Sequence, residues 1–81
     1  MILEILTPDQ KVFSGEVSAV NLPGSEGNFE VLTGHAAIIS NLNKGDVTIR
    51  NAGKEQKITI DGGIVEVLHN KIIVLADAVL S

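Results

Sequence analysis

Two histidines, His35 and His69, are the only bases of the type that activates a serine or threonine nucleophile. His69 precedes an asparagine in a predicted hairpin turn, where a histidine is most simply a solvated turn residue. His35 follows a Thr-Gly pair and fits a ligand, a general base or a packed interface residue, of which we favour the last. Neither histidine is accompanied by a recognisable nucleophile, so the sequence predicts no catalytic residue.

The sequence also lacks the residue patterns of a metal site, a catalytic carboxylate pair and a phosphate-binding loop. A zinc site needs three or four ligands at short spacing, and two histidines without cysteine do not provide them. The glutamates fall mostly on predicted outward strand positions, which is typical of solubilising acids rather than of a glycosidase pair. Residues 24–27 (Gly-Ser-Glu-Gly) lack the Lys-Ser/Thr of a P-loop and predict a turn with an acidic tip. We therefore expect no metal and no cofactor.

Charge and hydropathy exclude further classes of function. The formal charge is −4, the six Lys and Arg residues are scattered, and Phe13 and Phe29 are the only aromatic residues. A nucleic-acid partner or adsorption to anionic lipid is therefore not expected. The longest apolar run covers residues 72–76, far short of the roughly 20 residues of a membrane span. No signal peptide is visible at the N-terminus.

The elements that would position these residues are short strands. Ile, Val and Thr together make up 23 of the 81 residues, and eight glycines interrupt the chain at short intervals. The sequence predicts one all-β domain over residues 1–81, a two-layer antiparallel β-sandwich of about eight to ten short strands, with a small closed barrel as the alternative. The predicted strands cover residues 2–6, 12–22, 28–32, 36–39, 46–50, 57–61, 64–68 and 72–76. Hairpins are expected at residues 51–53 and 69–70, the second with a tight turn, and a further turn at residues 44–45.

Two of these runs have unusual patterns. In residues 12–22 the apolar positions change from odd to even after Ala19, which predicts a bulge or a strand that passes from one sheet to the other. Residues 72–76 are apolar at every position, which predicts a strand covered on both faces.

Five short motifs, in this order and spacing, resemble the epsilon subunit family of F-type ATP synthases, called delta in mitochondria. The match extends over almost the whole chain. The motifs lie at residues 12–15 (Val-Phe-Ser-Gly), 24–27 (Gly-Ser-Glu-Gly), 34–36 (Gly-His-Ala), 62–67 (Gly-Gly-Ile-Val-Glu-Val) and 74–77 (Val-Leu-Ala-Asp).

The resemblance implies the N-terminal β-sandwich domain of a rotor subunit, with about ten strands and no active site of its own. Such a domain lies on the central stalk, at the cytoplasmic face of the bacterial plasma membrane. It couples rotation of the membrane ring of c subunits to the gamma subunit, within a complex that also contains alpha and beta subunits. No insertion into lipid is implied. Long family members continue into two α-helices that can slow ATP hydrolysis or bind ATP, and 81 residues leave no room for these, so neither property is expected here.

The resemblance also assigns contact residues. Contact with the c-ring is implied for the loop residues Glu26, Gly27 and Asn28. Contact with the gamma subunit is implied for Thr7, His35, Ile39 and Ser40. The chain departs from the family pattern at Asn28, where relatives often have an acid, and at residues 32–33, where Leu-Thr replaces Tyr-Pro.

Two other classes of function remain open from the residues alone. A generic β-sandwich module could bind a peptide strand at a free sheet edge, although it lacks the Trp and Tyr that sugar binding favours. A small hydrolase would need a deep pocket lined by His35 and a carboxylate. A permanent protein partner instead predicts an exposed apolar patch on the isolated chain.

Overall fold

The fold contains seven β-strands and no helix. The computed structural model describes residues 1–81, and its strands are β1 (Ile2–Leu6), β2 (Lys11–Glu16), β3 (Ala19–Leu22), β4 (Phe29–Leu32), β5 (Ile38–Asn51), β6 (Lys54–Leu68) and β7 (Lys71–Ala76). They form one sheet in the order β2-β1-β7-β6-β5-β3-β4. Every adjacent pair is antiparallel except β1 and β7, which run parallel with Ile2 opposite Lys71 and Leu6 opposite Leu75. The all-β prediction is confirmed.

The sheet folds over into two layers that share one core. The first layer contains β2, β1, β7 and the halves of β6 and β5 at residues 63–68 and 38–42. The second layer contains β4, β3 and the other halves of β5 and β6, and residues 78–81 bond along the outer edge of β6. Sixteen buried apolar residues from both ends of the sheet form a single cluster. This is the predicted two-layer sandwich, except that the parallel β1–β7 pair makes the sheet mixed and not wholly antiparallel.

Two long strands explain why there are seven strands rather than about eight to ten. β5 has 14 residues and joins the predicted strands at 36–39 and 46–50, so the predicted turn at residues 44–45 is wrong. Gly45 instead allows β5 to pack closely against Pro23, because a Cβ atom at residue 45 would lie only 2.8 Å from the Pro23 Cβ. β6 has 15 residues and joins the predicted strands at 57–61 and 64–68.

β6 changes its inward face where it passes between the layers. Ile58 and Ile60 point inward before the change, and Val65 and Val67 point inward after it. Between them, Gly62 and Gly63 have φ angles of 87° and 151°, which residues other than glycine rarely adopt. The phase change predicted within residues 12–22 also marks a passage of the chain between the layers, because β2 pairs with β1 in the first layer and β3 pairs with β5 in the second.

Two tight hairpins confirm the predicted turns. Ala52 and Gly53 link β5 to β6 with φ angles of 53° and 78°, and His69 and Asn70 link β6 to β7 with 50° and 59°. Positive φ at both central residues is typical of the type I′ turn, whose twist matches that of the flanking strands. The second turn also holds a neighbouring loop, because the Asn70 side-chain oxygen accepts a hydrogen bond from the Gly34 N–H at 2.8 Å.

The substitution Gly63→Ala should prevent stable folding. The new Cβ would overlap the carbonyl oxygen of Leu75 on β7, in backbone that cannot move without breaking the β6–β7 pairing. We expect a loss of about 3 kcal/mol or more in the free energy of unfolding, measured by urea denaturation. The control Gly53→Ala also has positive φ but meets open space, and it should cost only about 1 kcal/mol. Equal losses in the two variants would contradict the role given to Gly63.

Candidate protein-interaction face

The outer face of the second layer is polar and internally paired. Arg50 on β5 donates to Glu30 on β4 at 3.1 Å, across β3, and to Glu55 on β6 at 3.2 Å. Thr59 donates to Asp46 at 2.6 Å. The remaining outward side chains include the polar Asn21, Thr48 and Lys57 and a single exposed leucine, Leu32, at the end of β4. Such a surface is well solvated, so its exposure to water costs little free energy.

The outer face of the first layer is apolar. On β7, Ile72, Val74 and Ala76 point into the core, so the alternate residues Ile73 and Leu75 point outward, and Leu75 is 52% exposed. The prediction that residues 72–76 are covered on both faces is therefore wrong for the isolated chain. Strand register places further outward apolar residues beside these two. We call the set the outer apolar face; its members are Ile2, Ile39, Ile64, Leu68, Ile73 and Leu75.

Two carboxylates interrupt the outer apolar face in different ways. Glu4 lies between Lys11 and Lys71, with N–O distances of 3.4 and 3.7 Å. Glu66 stands opposite Ile39 on one side and Ile73 on the other, and it forms no ion pair. An exposed, unpaired carboxylate among apolar side chains favours a partner that brings a cation to this point.

The loop predicted to contact the c-ring projects beside this layer. The Ser25 N–H donates to the Asn41 carbonyl at 3.0 Å, and the Asn43 N–H donates to the Pro23 carbonyl at 2.8 Å. The base of the loop is thus fixed antiparallel to β5. The tip turns at a residue with φ of 123° and is fully exposed; it consists of Glu26, Gly27 and Asn28.

Three of the four residues predicted to contact the gamma subunit lie along one edge. Ile39 is 73% exposed, and Ser40 follows it with a half-buried hydroxyl that donates to the Asn41 carbonyl at 3.2 Å. His35 lies just before β5, in a turn closed by its N–H to the Leu32 carbonyl. Thr7 is not brought to this edge. It follows β1, three strand spacings or roughly 14 Å away across the outer apolar face.

The histidines do not form a catalytic arrangement with a hydroxyl group. The His35 Nδ1–H donates to the Ala36 carbonyl at 2.7 Å, and no surface depression is lined by His35. His69 is exposed in its hairpin. No three side chains of the His, Asp or Glu types lie close enough to share a metal ion. With no helix present, nothing helical in the structure could cross a bilayer.

Sequence reasoning missed most of the outer apolar face. It singled out Ile39 but not Ile64, Ile73 or Leu75, which register places in adjacent rows. The available clue was the continuous apolar run at residues 72–76. A strand that is apolar on both faces is expected to be buried on both, and the surface that buries the second face need not belong to the same chain.

A small β-sandwich with one apolar and one polar outer face, and with no buried polar side chain, is the class of domain that this structure defines. The chain belongs to the family described as ATP synthase, Delta/Epsilon chain, beta-sandwich domain, whose model matches residues 1–81.

Curated relatives agree with this assignment. The chain is 49% identical over 76 residues to the ATP synthase epsilon chain of Pelotomaculum thermopropionicum, covering 94% of this chain and 57% of the relative. It is also 49% identical over 76 residues to that of Campylobacter fetus, covering 93% and 59%. The chain thus spans little more than half the length of these relatives.

Two solved structures have the same fold. A chain in a cryo-EM structure of the Euglena gracilis mitochondrial ATP synthase, comprising OSCP, F1 and c-ring, superposes with a TM-score of 0.91 at 24% identity, over 99% of this chain and 52% of that one. A chain in the Tetrahymena thermophila mitochondrial ATP synthase central stalk and c-ring structure gives 0.83 at 16% identity, over 99% and 65%.

The substitution Ile39→Thr should leave folding almost unchanged. Ile39 is 73% exposed and keeps a β-branched side chain in the variant, so the free energy of unfolding should change by no more than about 0.5 kcal/mol. The matched control Ile72→Thr makes the same change at a fully buried position, where lost methylenes and an unpaired hydroxyl should cost about 3 kcal/mol. Urea denaturation of both variants measures the difference. A large loss for Ile39→Thr would mean that the outer apolar face supports the fold itself.

Proposed function

We propose that this chain is a non-catalytic rotor subunit of an F-type ATP synthase. In this role it couples rotation of the c-ring to the gamma subunit and so to ATP synthesis. The observation that carries the proposal is the outer apolar face on a domain of the epsilon family. A permanently assembled subunit needs such a face, because stable interfaces bury roughly 1,200–2,000 Å² in total.

The outer apolar face is the proposed contact with the gamma subunit. Ile39 lies at its edge, His35 lies at the end of the same edge, and Thr7 bounds it on the far side. Ser40 pairs with the inward residue Val65, so its side chain points to the other face of β5 and only its backbone lies at this edge. The polar outer face of the second layer has its charges already paired and is the less suitable of the two for an apolar partner.

The core supports a mechanical role. Sixteen apolar residues pack into one cluster, and no buried side-chain polar atom lacks a hydrogen-bond partner. Close-packed interiors have low compressibility, so a load applied at one surface reaches another with little loss as internal strain. A coupler between a turning ring and a shaft needs this property.

The exposed loop residues Glu26, Gly27 and Asn28 are the proposed contact with the c-ring. The loop is fixed to β5 by two backbone hydrogen bonds, so its tip can bear a load although its side chains are free. Glu26 supplies a negative charge there, whereas Asn28 is neutral where relatives often have an acid. The domain would thus sit on the ring at the cytoplasmic face of the bacterial plasma membrane, without entering lipid.

The substitution Ile39→Asp should weaken binding to purified gamma subunit by about tenfold or more, because it places a charge in an apolar interface. Thr48→Asp is the matched control. It adds the same charge to the polar face of the second layer, opposite Lys57, and should bind like the unmodified chain. Isothermal titration measures both affinities. Equal binding by the two variants would move the contact away from the outer apolar face, and no binding by the unmodified chain would overturn the proposed function.

The substitution Glu26→Lys should weaken attachment to the c-ring and remove part of its salt dependence, because the acidic tip loses its attraction to basic groups on the ring. Cosedimentation of gamma and this chain with detergent-purified c-ring, at low and high salt, provides the measurement. Glu16→Lys makes the same change of charge on β2, at the opposite end of the first layer, and should have no effect. If both variants sediment equally well, the loop is not the point of contact.

A further inference from the structure

One edge of the first layer is only partly covered. On one side, residues 38–42 of β5 pair with β6. On the other side, the base of the loop at residues 23–25 covers β5 only from Asn41 to Asn43. No strand lies beside the section that contains Ile39.

The hydrogen-bonding groups of Ile39 point to this open edge. Backbone groups alternate between the two sides of a strand with a period of two residues. The Asn41 carbonyl and the Asn43 N–H both bond to the loop, so odd-numbered residues here direct their backbone groups away from β6. Ile39 has the same parity, and neither its N–H nor its carbonyl has a partner among the loop and turn hydrogen bonds.

The other sheet edges are better protected. The edge of β6 in the second layer is bonded to residues 78–81. β4 has only four residues, and the carbonyl of its last one, Leu32, accepts from His35. The edge of β2 carries Lys11, Ser14 and Glu16. Proteins block open edges with charges, proline or bulges, but residues 36–40 (Ala-Ala-Ile-Ile-Ser) contain no charge and no proline.

An apolar groove runs beside this edge. It is lined by residues 37–39 at the start of β5 and by residues 66–68 on β6. An added strand would bond to Ile39 through its backbone, on the side of β5 away from β6, and its outward side chains would stand beside Ile39 at the rim of this groove, which is the geometry of β-strand addition. Glu66, one strand in from the edge, forms no ion pair, so a Lys or Arg on the added strand would find an unpaired carboxylate there.

We propose that an extended segment of the gamma subunit adds to the open edge of β5 as a further strand, paired through the N–H and carbonyl of Ile39. The loop base bonded to Asn41 limits the added strand to the section beside residues 37–39. This inference rests on the proposed function, and it adds to it that the gamma subunit is recognised through the backbone as well as through apolar side chains.

Removing the single donor tests the inference. The 81-residue chain, assembled chemically with N-methyl-Ile39, keeps every side chain but lacks the outward N–H and sterically blocks a neighbouring strand. Its affinity for purified gamma subunit should fall by about tenfold or more. N-methyl-Ser14 is the matched control: the Val17 N–H bonds to the Met1 carbonyl, so even-numbered residues of β2 point outward, and Ser14 has an equally open N–H. That chain should bind normally, because the edge strand β2 is separated from β5 by three strands of the sheet.

Amide exchange gives a second readout that needs no modified chain. The Ile39 and Ser14 amides should both exchange rapidly in the free chain, and binding of the gamma subunit should slow exchange at Ile39 alone. Normal binding by N-methyl-Ile39, or rapid exchange at Ile39 in the complex, would overturn strand addition and leave the rotor function standing. If the unmodified chain does not bind the gamma subunit at all, both proposals are overturned.

Discussion

A single sheet that must cover its own apolar face is the constraint on which this structure depends. With seven strands and no helix, nothing but the other end of the sheet can bury that face. β5 and β6 therefore have to belong to both layers and exchange their inward faces along the way. Gly62 and Gly63 make the exchange possible on β6, because their positive φ angles break the regular alternation of the strand. The core, and with it the position of every outward residue, follows from that change of face.

The same constraint leaves the two outer faces chemically different. Each strand of the first layer alternates into the shared core, yet β7 is apolar in both directions, so its second set of side chains remains outside. The second layer instead places Arg50 between two glutamates on its outer face. Folding alone does not require this asymmetry, since a polar outer face satisfies the fold equally well. The proposed assembly would account for the asymmetry, because a partner bound to the apolar face would bury it.

Local patterns predicted local structure well, and they failed where the cause lay elsewhere in the chain. The hairpins at Ala52-Gly53 and His69-Asn70 could be predicted because turn geometry selects those residue types directly. Gly45 could not be placed, because a turn and a close approach to Pro23 both require glycine and look alike in sequence. The candidate site shows the same limit. Exposure of the loop tip at Glu26 was predictable, whereas the face around Leu75 was not, because apolarity does not reveal which chain provides the cover.

The parallel pairing of β1 with β7 affects how the chain can fold during its synthesis on the ribosome. Residues 2–6 are synthesised well before residues 71–75, which form one of their two neighbouring strands in the sheet. Contacts of such large sequence separation form slowly, because the entropy cost of closing the intervening loop precedes the free energy gained from the contacts. β1 therefore lacks its β7 neighbour until residues 71–75 have been synthesised, and a chaperone that shields Leu3 and Ile5 during that interval would favour correct folding.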